Sequence, residues 1–264
     1  MRKRRFIYII FSFISIIVLT ALLISYEQPF LFMMLIILII IPNNIIRNKE
    51  RQITGNIIIK YGNNCDPYEY IGELSKYASK CFLTKKQKIL YDLYYALAYI
   101  DAGDFGEVEY MLLEIDKNID KLDEVTKVLY LKAWCDYFFY TSLDEKMKST
   151  LLKLRDIITN TKNYALKGNY SMIYMFLEAK YYIISNTNIP KAKELLKNRK
   201  SMIPSQLSLV TYTYLTALID IKENKYLDAK AKLQAIASKN DLLHVVRHSE
   251  YLLEQVNERL EEKN

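Results

Sequence analysis

Two charge-free runs open this chain, one between Arg5 and Glu27 and the other between Glu27 and Arg47, and they dictate where an amino-terminal segment can reside before any fold is considered. Residues 6–26 give 21 uncharged positions, which at about 1.5 Å per helical residue reach across a hydrocarbon core of about 30 Å. The second run is shorter. Phe30 to Ile41 is unbroken, Pro42, Asn43 and Asn44 interrupt it, and Ile45 and Ile46 carry it to Arg47. Glu27, Gln28 and Pro29 supply a tight connection, because proline lacks a donor and biases its predecessor away from helix. A cleaved leader is the main competing reading, and the length of the first run and the missing small-residue cleavage site argue against it.

The flanks orient the pair. Arg2, Lys3, Arg4 and Arg5 precede it and Arg47, Lys49 and Arg51 follow it, so basic residues sit at both ends with Glu27 alone between. The expectation is a transmembrane hairpin over residues 1–47 (spans 6–26 and 30–46) with both chain ends on the cytoplasmic side. A juxtamembrane linker over 48–65 and a helical domain over 66–264 would follow. A single span with the second run lying at the interface is the competing topology, and it would put the large domain on the other side.

Of the formal charge of +7, the first 51 residues carry +5, so the remaining 213 carry only +2. That balance leaves no electrostatic footprint for a phosphate backbone, and nucleic acid is not an expected partner. Cys65, Cys81 and Cys135 are three widely spaced residues with no C-x-x-C pair, as in a reducing compartment. Abundant Ile, Lys, Asn and Tyr suggest an AT-rich bacterial genome, hence a bacterial cytoplasmic membrane.

Beyond residue 65 the apolar spacing is helical and prolines are few, which predicts an all-α domain. Asp66-Pro67 is a helix start, with the aspartate as cap and proline harmless in the first turn. Ile89, Leu90, Leu93, Tyr94, Leu97, Ala98 and Ile100 make a helix apolar on more than one face, Gly103-Asp104 break it, and Val108, Met111, Leu112 and Ile115 resume as a one-faced helix. Inner helix, short turn and outer helix make an antiparallel hairpin.

The segment from Tyr95 to Phe105, with Val108, Leu112 and Ile115 behind it, resembles a tetratricopeptide repeat: Ala96 stands where that family needs a small residue, Tyr99 where it needs an aromatic, and Gly103-Asp104-Phe105 at its turn. A second copy runs through Ala217, Asn224-Lys225-Tyr226, Ala229, Leu233 and Ile236. Ala96 to Val108 and Ala217 to Ala229 are both twelve residues apart. Two poorer copies surround Ala133 with Met147 to Leu151, and Ala179 with Ala192 to Leu196. The resemblance covers residues 86–240 and departs from the family in repeat length, in Asp220 at the last aromatic position and in the missing closing proline. It implies an α-solenoid, and a final helix over 241–262 with Leu242, Val246, Ser249, Leu253, Val256 and Leu260 on one stripe is its natural cap.

Catalytic motifs are absent: no phosphate-binding glycine loop, no nucleophile elbow, and His244 and His248 share a helical face without the glutamate a zinc protease needs between them. No enzyme, cofactor or metal is expected. The resemblance implies a groove on the first helices, which here falls on Lys127, Tyr130, Trp134 and Tyr137 with Phe138, on Leu93, Leu97 and Ile100, and on Tyr214, Leu218 and Lys222 with Ile221. An aromatic groove with a few lysines suits a protein or peptide partner, and the same aromatics could equally be core. The expectation is a membrane-anchored interaction scaffold. A peptide-sensing regulator and a non-catalytic subunit of a transport or envelope complex are the alternatives.

Overall fold

The computed structural model describes residues 29–81, 83–199 and 205–262, with Ile14, Ile17, Val18 and Thr20 before them. Its secondary structure is helical throughout, without strands among the described residues. The helices are α1 (Pro29–Asn64), α2 (Pro67–Ala78), α3 (Lys85–Ala102), α4 (Phe105–Asp116), α5 (Glu124–Tyr140), α6 (Asp144–Asn160), α7 (Tyr164–Ser185), α8 (Ile189–Arg199), α9 (Gln206–Lys222), α10 (Tyr226–Ala237) and α11 (His244–Glu261), with a single 3₁₀ turn at Ile119–Lys121. Two compact units divide the chain, Met1–Lys60 with Gly72–Thr84, and Tyr61–Ile71 with Lys85–Asn264.

The amino-terminal expectation is only partly met. Residues 6–26 lie almost wholly outside the described residues, and among the described residues no helix is long and apolar enough to cross a membrane, so the transmembrane hairpin draws no support from the structure. Pro42 does not end the second run, because α1 passes through it and continues to Asn64. One proline deletes one backbone bond, whereas the cost of starting a helix has already been met on its amino-terminal side. Residues 48–64, expected as a juxtamembrane linker, are therefore helical. Asp66 caps α2 as its position predicts, its Oδ1 accepting from the backbone N–H of Tyr68 and Glu69 at 3.0 and 2.9 Å. That helix stops at Ala78.

Within the second unit the helices pack as consecutive pairs: α3 with α4, α5 with α6, α7 with α8, and α9 with α10. The first members also pack on one another, α3 on α5, α5 on α7 and α7 on α9. Ala96, Ala133, Ala179 and Ala217 on the first helices are all fully buried, as are Val108, Met147, Ala192 and Ala229 on the second. A side chain no larger than a methyl lets paired backbones approach, with Val108 and Met147 filling the first two crossings and alanine meeting alanine in the last two. Turn chemistry repeats too. Gly103, Ser142, Asn186 and Asn224 adopt positive φ of 80°, 57°, 53° and 57°, and in three of the turns the next N–H reaches back five residues: Asp104 to Tyr99 O, Leu143 to Phe138 O and Lys225 to Asp220 O, at 2.8–2.9 Å. These bonds satisfy carbonyls left over at the helix ends.

α11 begins at His244, three residues later than expected. It packs against α10 and α9 as an end cap, and also against α3, so the last helix of this unit reaches its first hairpin. Arg247 makes that contact specific. Its Nη2 donates to Ala102 O at the carboxy-terminal end of α3 at 2.6 Å, and its Nη1 donates to Asp241 O and Leu242 O at 2.9 and 3.1 Å. A cation at a helix carboxy terminus also meets the negative end of the helix dipole.

Candidate functional site

Because first helices pack on first helices, their shared face holds what each contributes: α3 brings Asp101, α5 brings Lys132, Asp136 and Tyr140, α7 brings Phe176 and Lys180, and α9 brings Ser208, Thr211 and Tyr212. These residues, with Ile173, Leu177 and Leu207, line a cavity of about 160 Å³. At its wall Asp136 accepts from two ammonium groups, Lys132 Nζ at 2.6 Å and Lys180 Nζ at 2.7 Å. Lys180 is only 3% exposed, which is tolerable for an ammonium because it is both ion-paired and seated over aromatic faces, 5.0–5.3 Å from the ring centres of Phe139, Tyr140 and Phe176. Burial alone would push the Asp136 carboxyl up, but Lys132 and then Lys180 outweigh it and hold the carboxyl down at about 2.

Asp101 is the opposite case. Among the described residues it accepts one hydrogen bond, from the hydroxyl of Tyr61 at 2.6 Å, a residue that stacks on Tyr70 with 4.4 Å between ring centres. Burial raises the Asp101 carboxyl to about 6, with the Tyr61 bond and the more distant Lys132 and Lys180 opposing the rise. The hydroxyl of Tyr140, also on the cavity wall, has no hydrogen-bond partner among the described residues, and Asp101 and Asp136 add to burial in keeping it protonated.

The register explains part of this. Three residues beyond the buried alanines stand Tyr99, Asp136, Tyr182 and Asp220, so two hairpins carry a carboxylate where the other two carry a phenol. Both carboxylates are buried and neutralised by lysine, Asp220 by Lys232 of α10. The departure at Asp220 is thus a buried ion pair.

The residues expected to form an open aromatic groove do something else. Tyr130, Tyr137 and Tyr214 are buried, Lys127, Trp134 and Leu218 are half-buried, and Lys222 is exposed. Trp134 stacks on Phe138 with 5.1 Å between centres and meets Tyr137 edge-on at 5.5 Å, while the Tyr130 hydroxyl donates to Asp116 at 2.7 Å. Tyr214 faces α11, where its hydroxyl bonds His248 Nδ1 at 2.5 Å. The tyrosines of this set are packing, whereas Lys222 stays in solvent. Spacing could not reveal this, since a groove and a core ask for the same aromatic stripe.

His244 and His248 stack on each other, 5.7 Å between ring centres, and His244 also stands edge-on to Phe105 and Tyr140. Burial, then His248 and Arg247, lowers the His244 imidazole to about 4, and burial lowers His248 as well. No cluster of three or more His, Cys, Asp or Glu able to hold a metal exists among the described residues. Cys65, Cys81 and Cys135 are buried and form no disulfide among the described residues.

Sequence reading passed over Asp101, Asp136 and Lys180. Their signal was available as charges that follow closely on the small, packing-competent residues Ala98, Ala133 and Ala179 of the inner helices. No family model, curated protein or solved structure matches this chain.

Proposed function

We propose that this chain is a membrane-anchored interaction scaffold of tetratricopeptide-like helical hairpins, attached by its apolar amino-terminal segments and presenting the hairpin unit on the cytoplasmic side. One observation carries the interaction half of this reading. The aromatic side chains of the inner face, Tyr130, Tyr137 and Tyr214 among them, are buried, whereas Tyr110 and Leu113, one turn apart on α4, stand 67% and 52% exposed. Tyr110 lines a groove of about 460 Å³ between α3 and α4, together with Ile89, Met111 and Ile115, with Lys85, Lys88, Asp92 and Glu114 at its polar positions. An apolar floor with a charged rim is the anatomy of a protein-binding patch. The bilayer half rests on the 21 uncharged residues behind Arg2 to Arg5, and attachment raises the local concentration of any partner at the same surface.

Two measurements test it in intact bacteria. A photo-crosslinking side chain at position 110 is expected to capture a protein that the same probe at Tyr251, on α11, does not capture; identical patterns from both positions would refute the patch. Cys135 is fully buried, so topology is read with a Tyr164→Cys variant, at a site 87% exposed. Protection from an impermeant maleimide until cells are lysed is expected, and labelling of sealed cells would overturn the cytoplasmic placement. Extraction of the full chain by alkaline wash without detergent would remove the anchor.

A further inference from the structure

The cavity on the inner face is chemically lopsided in a way that describes a ligand. Four ionised groups line it, Asp101, Asp136, Lys132 and Lys180, and their charges sum to zero, but they are not symmetrically paired. Asp136 takes both lysines, while Asp101 belongs to no ion pair among the described residues and holds only the Tyr61 hydroxyl. One pole of the lining is thus a carboxylate that no ammonium contacts among the described residues. The other pole is a set of uncommitted donors. Lys180 spends one of its three N–H groups on Asp136, the Tyr140 hydroxyl gives its proton to no described group, and Ser208 accepts from Ser205 Oγ at 3.0 Å with its own proton still to give.

A molecule that satisfies both poles must place a cationic donor at Asp101 and an anionic acceptor at the Lys180, Tyr140 and Ser208 end. It must add no net charge, since an unbalanced ion in this environment is costly. It must also be small, because about 160 Å³ is room for a few polar atoms and a short side chain, with Phe176 and Leu177 as apolar wall. We propose that this cavity is a binding site for a small zwitterion of the α-amino-acid class, its ammonium on Asp101 and its carboxylate on the Lys180–Tyr140–Ser208 donors. Neither bilayer attachment nor the α4 patch is needed for this, so each can fail without the other.

The test uses the purified full chain in detergent and isothermal titration with L-alanine, L-serine, L-threonine and L-valine. Two half-molecules accompany them: L-alanine methyl ester, which keeps the ammonium and loses the carboxylate, and propionate, which does the reverse. At least one amino acid is expected to bind, with each half-molecule at least tenfold weaker. Asp101→Asn preserves shape and removes a carboxylate that no cation compensates, so it is expected to fold with an unchanged helical spectrum and to bind at least tenfold more weakly. Tyr140→Phe is expected to weaken the amino acid severalfold and to leave the weak binding of the methyl ester unchanged. Absence of heat with all four amino acids at millimolar concentration would overturn the proposal. Equal binding by a half-molecule, or undiminished binding by a folded Asp101→Asn, would do the same.

Discussion

Lys180 offers the sharpest quantitative test, because the ion group it joins is buried and its reporter is built in. Asp136→Asn removes the carboxylate between Lys132 and Lys180 and replaces it with an amide of the same shape. Lys132, whose side chain is 32% exposed, can turn to solvent; Lys180, with a side chain 4% exposed, cannot. Stranding a buried charge by deleting its partner costs about 3–5 kcal/mol, and the three aromatic faces around the ammonium return only about 1–2 of that. The expected net loss is therefore about 2–3 kcal/mol. Lys132→Met, which leaves the Lys180–Asp136 pair whole, should cost no more than about 1 kcal/mol. The double variant Asp136→Leu with Lys180→Met removes both buried charges and should recover most of the loss. Trp134 is the single tryptophan, sits on the same helix as Asp136 and stacks on Phe138, so its fluorescence in a urea titration follows this unit. If Asp136→Asn shifted the free energy by less than about 1 kcal/mol, or if the double variant were no better than the single, the ion group would not be the buried, interdependent set that the distances describe.

Three further outcomes are expected. Gly103→Ala should cost about 1–3 kcal/mol, since φ is +80° and a Cβ there would stand 2.9 Å from His244 Nδ1 and 3.1 Å from Arg247 Nη2, whereas Asn224→Gly, at φ 57°, should be near neutral in the same denaturation assay. Arg247→Ala deletes three bonds to backbone carbonyls and should cost about 1–2 kcal/mol, visible as faster proteolytic release of the last helix. Between pH 7 and pH 4 two groups oppose each other. The His244 imidazole, lowered to about 4, takes up protons more readily when unfolded, so its contribution of about 3 kcal/mol is present above about 6.5 and lost as pH falls to 4. Raised to about 6, the Asp101 carboxyl contributes about 2–3 kcal/mol that is fully present below about 3.8 and lost as pH rises through 6. The lowered His248 imidazole also loses its contribution on acidification, so relative to wild type Asp101→Asn should lose more stability between pH 7 and pH 4 and His244→Leu less; urea midpoints at four pH values measure all three, and parallel curves would contradict the opposed assignment.

Much of the architecture was legible in the chain because it depends on local rules. Helical spacing, the Asp66 cap, the break at Gly103-Asp104 and the four small residues Ala96, Ala133, Ala179 and Ala217 concern neighbours within one or two turns, and the backbone obeys such neighbours wherever the rest of the molecule lies. Pro42 shows the limit of that logic, since a helix already under way runs through a residue that costs it an interior backbone bond.

What surrounds a side chain from other helices is a different matter. An aromatic stripe such as Tyr130, Trp134 and Tyr137 has the same spacing whether it faces a groove or a neighbouring helix, and only the packing of α5 against α3 and α7 decides for core. Likewise Asp136, Lys180 and Asp101 are separated by tens of residues, and the sign, distance and burial that make one carboxyl strongly acidic and another weakly so arise when three inner helices share a face. Contact between His244, Arg247 and the end of α3, across more than a hundred residues, belongs to the same class. Periodicity determines which residues form a helix and which of its sides is apolar; electrostatic pairing and enclosure are properties of the assembled helices, because they depend on distances that no single segment contains.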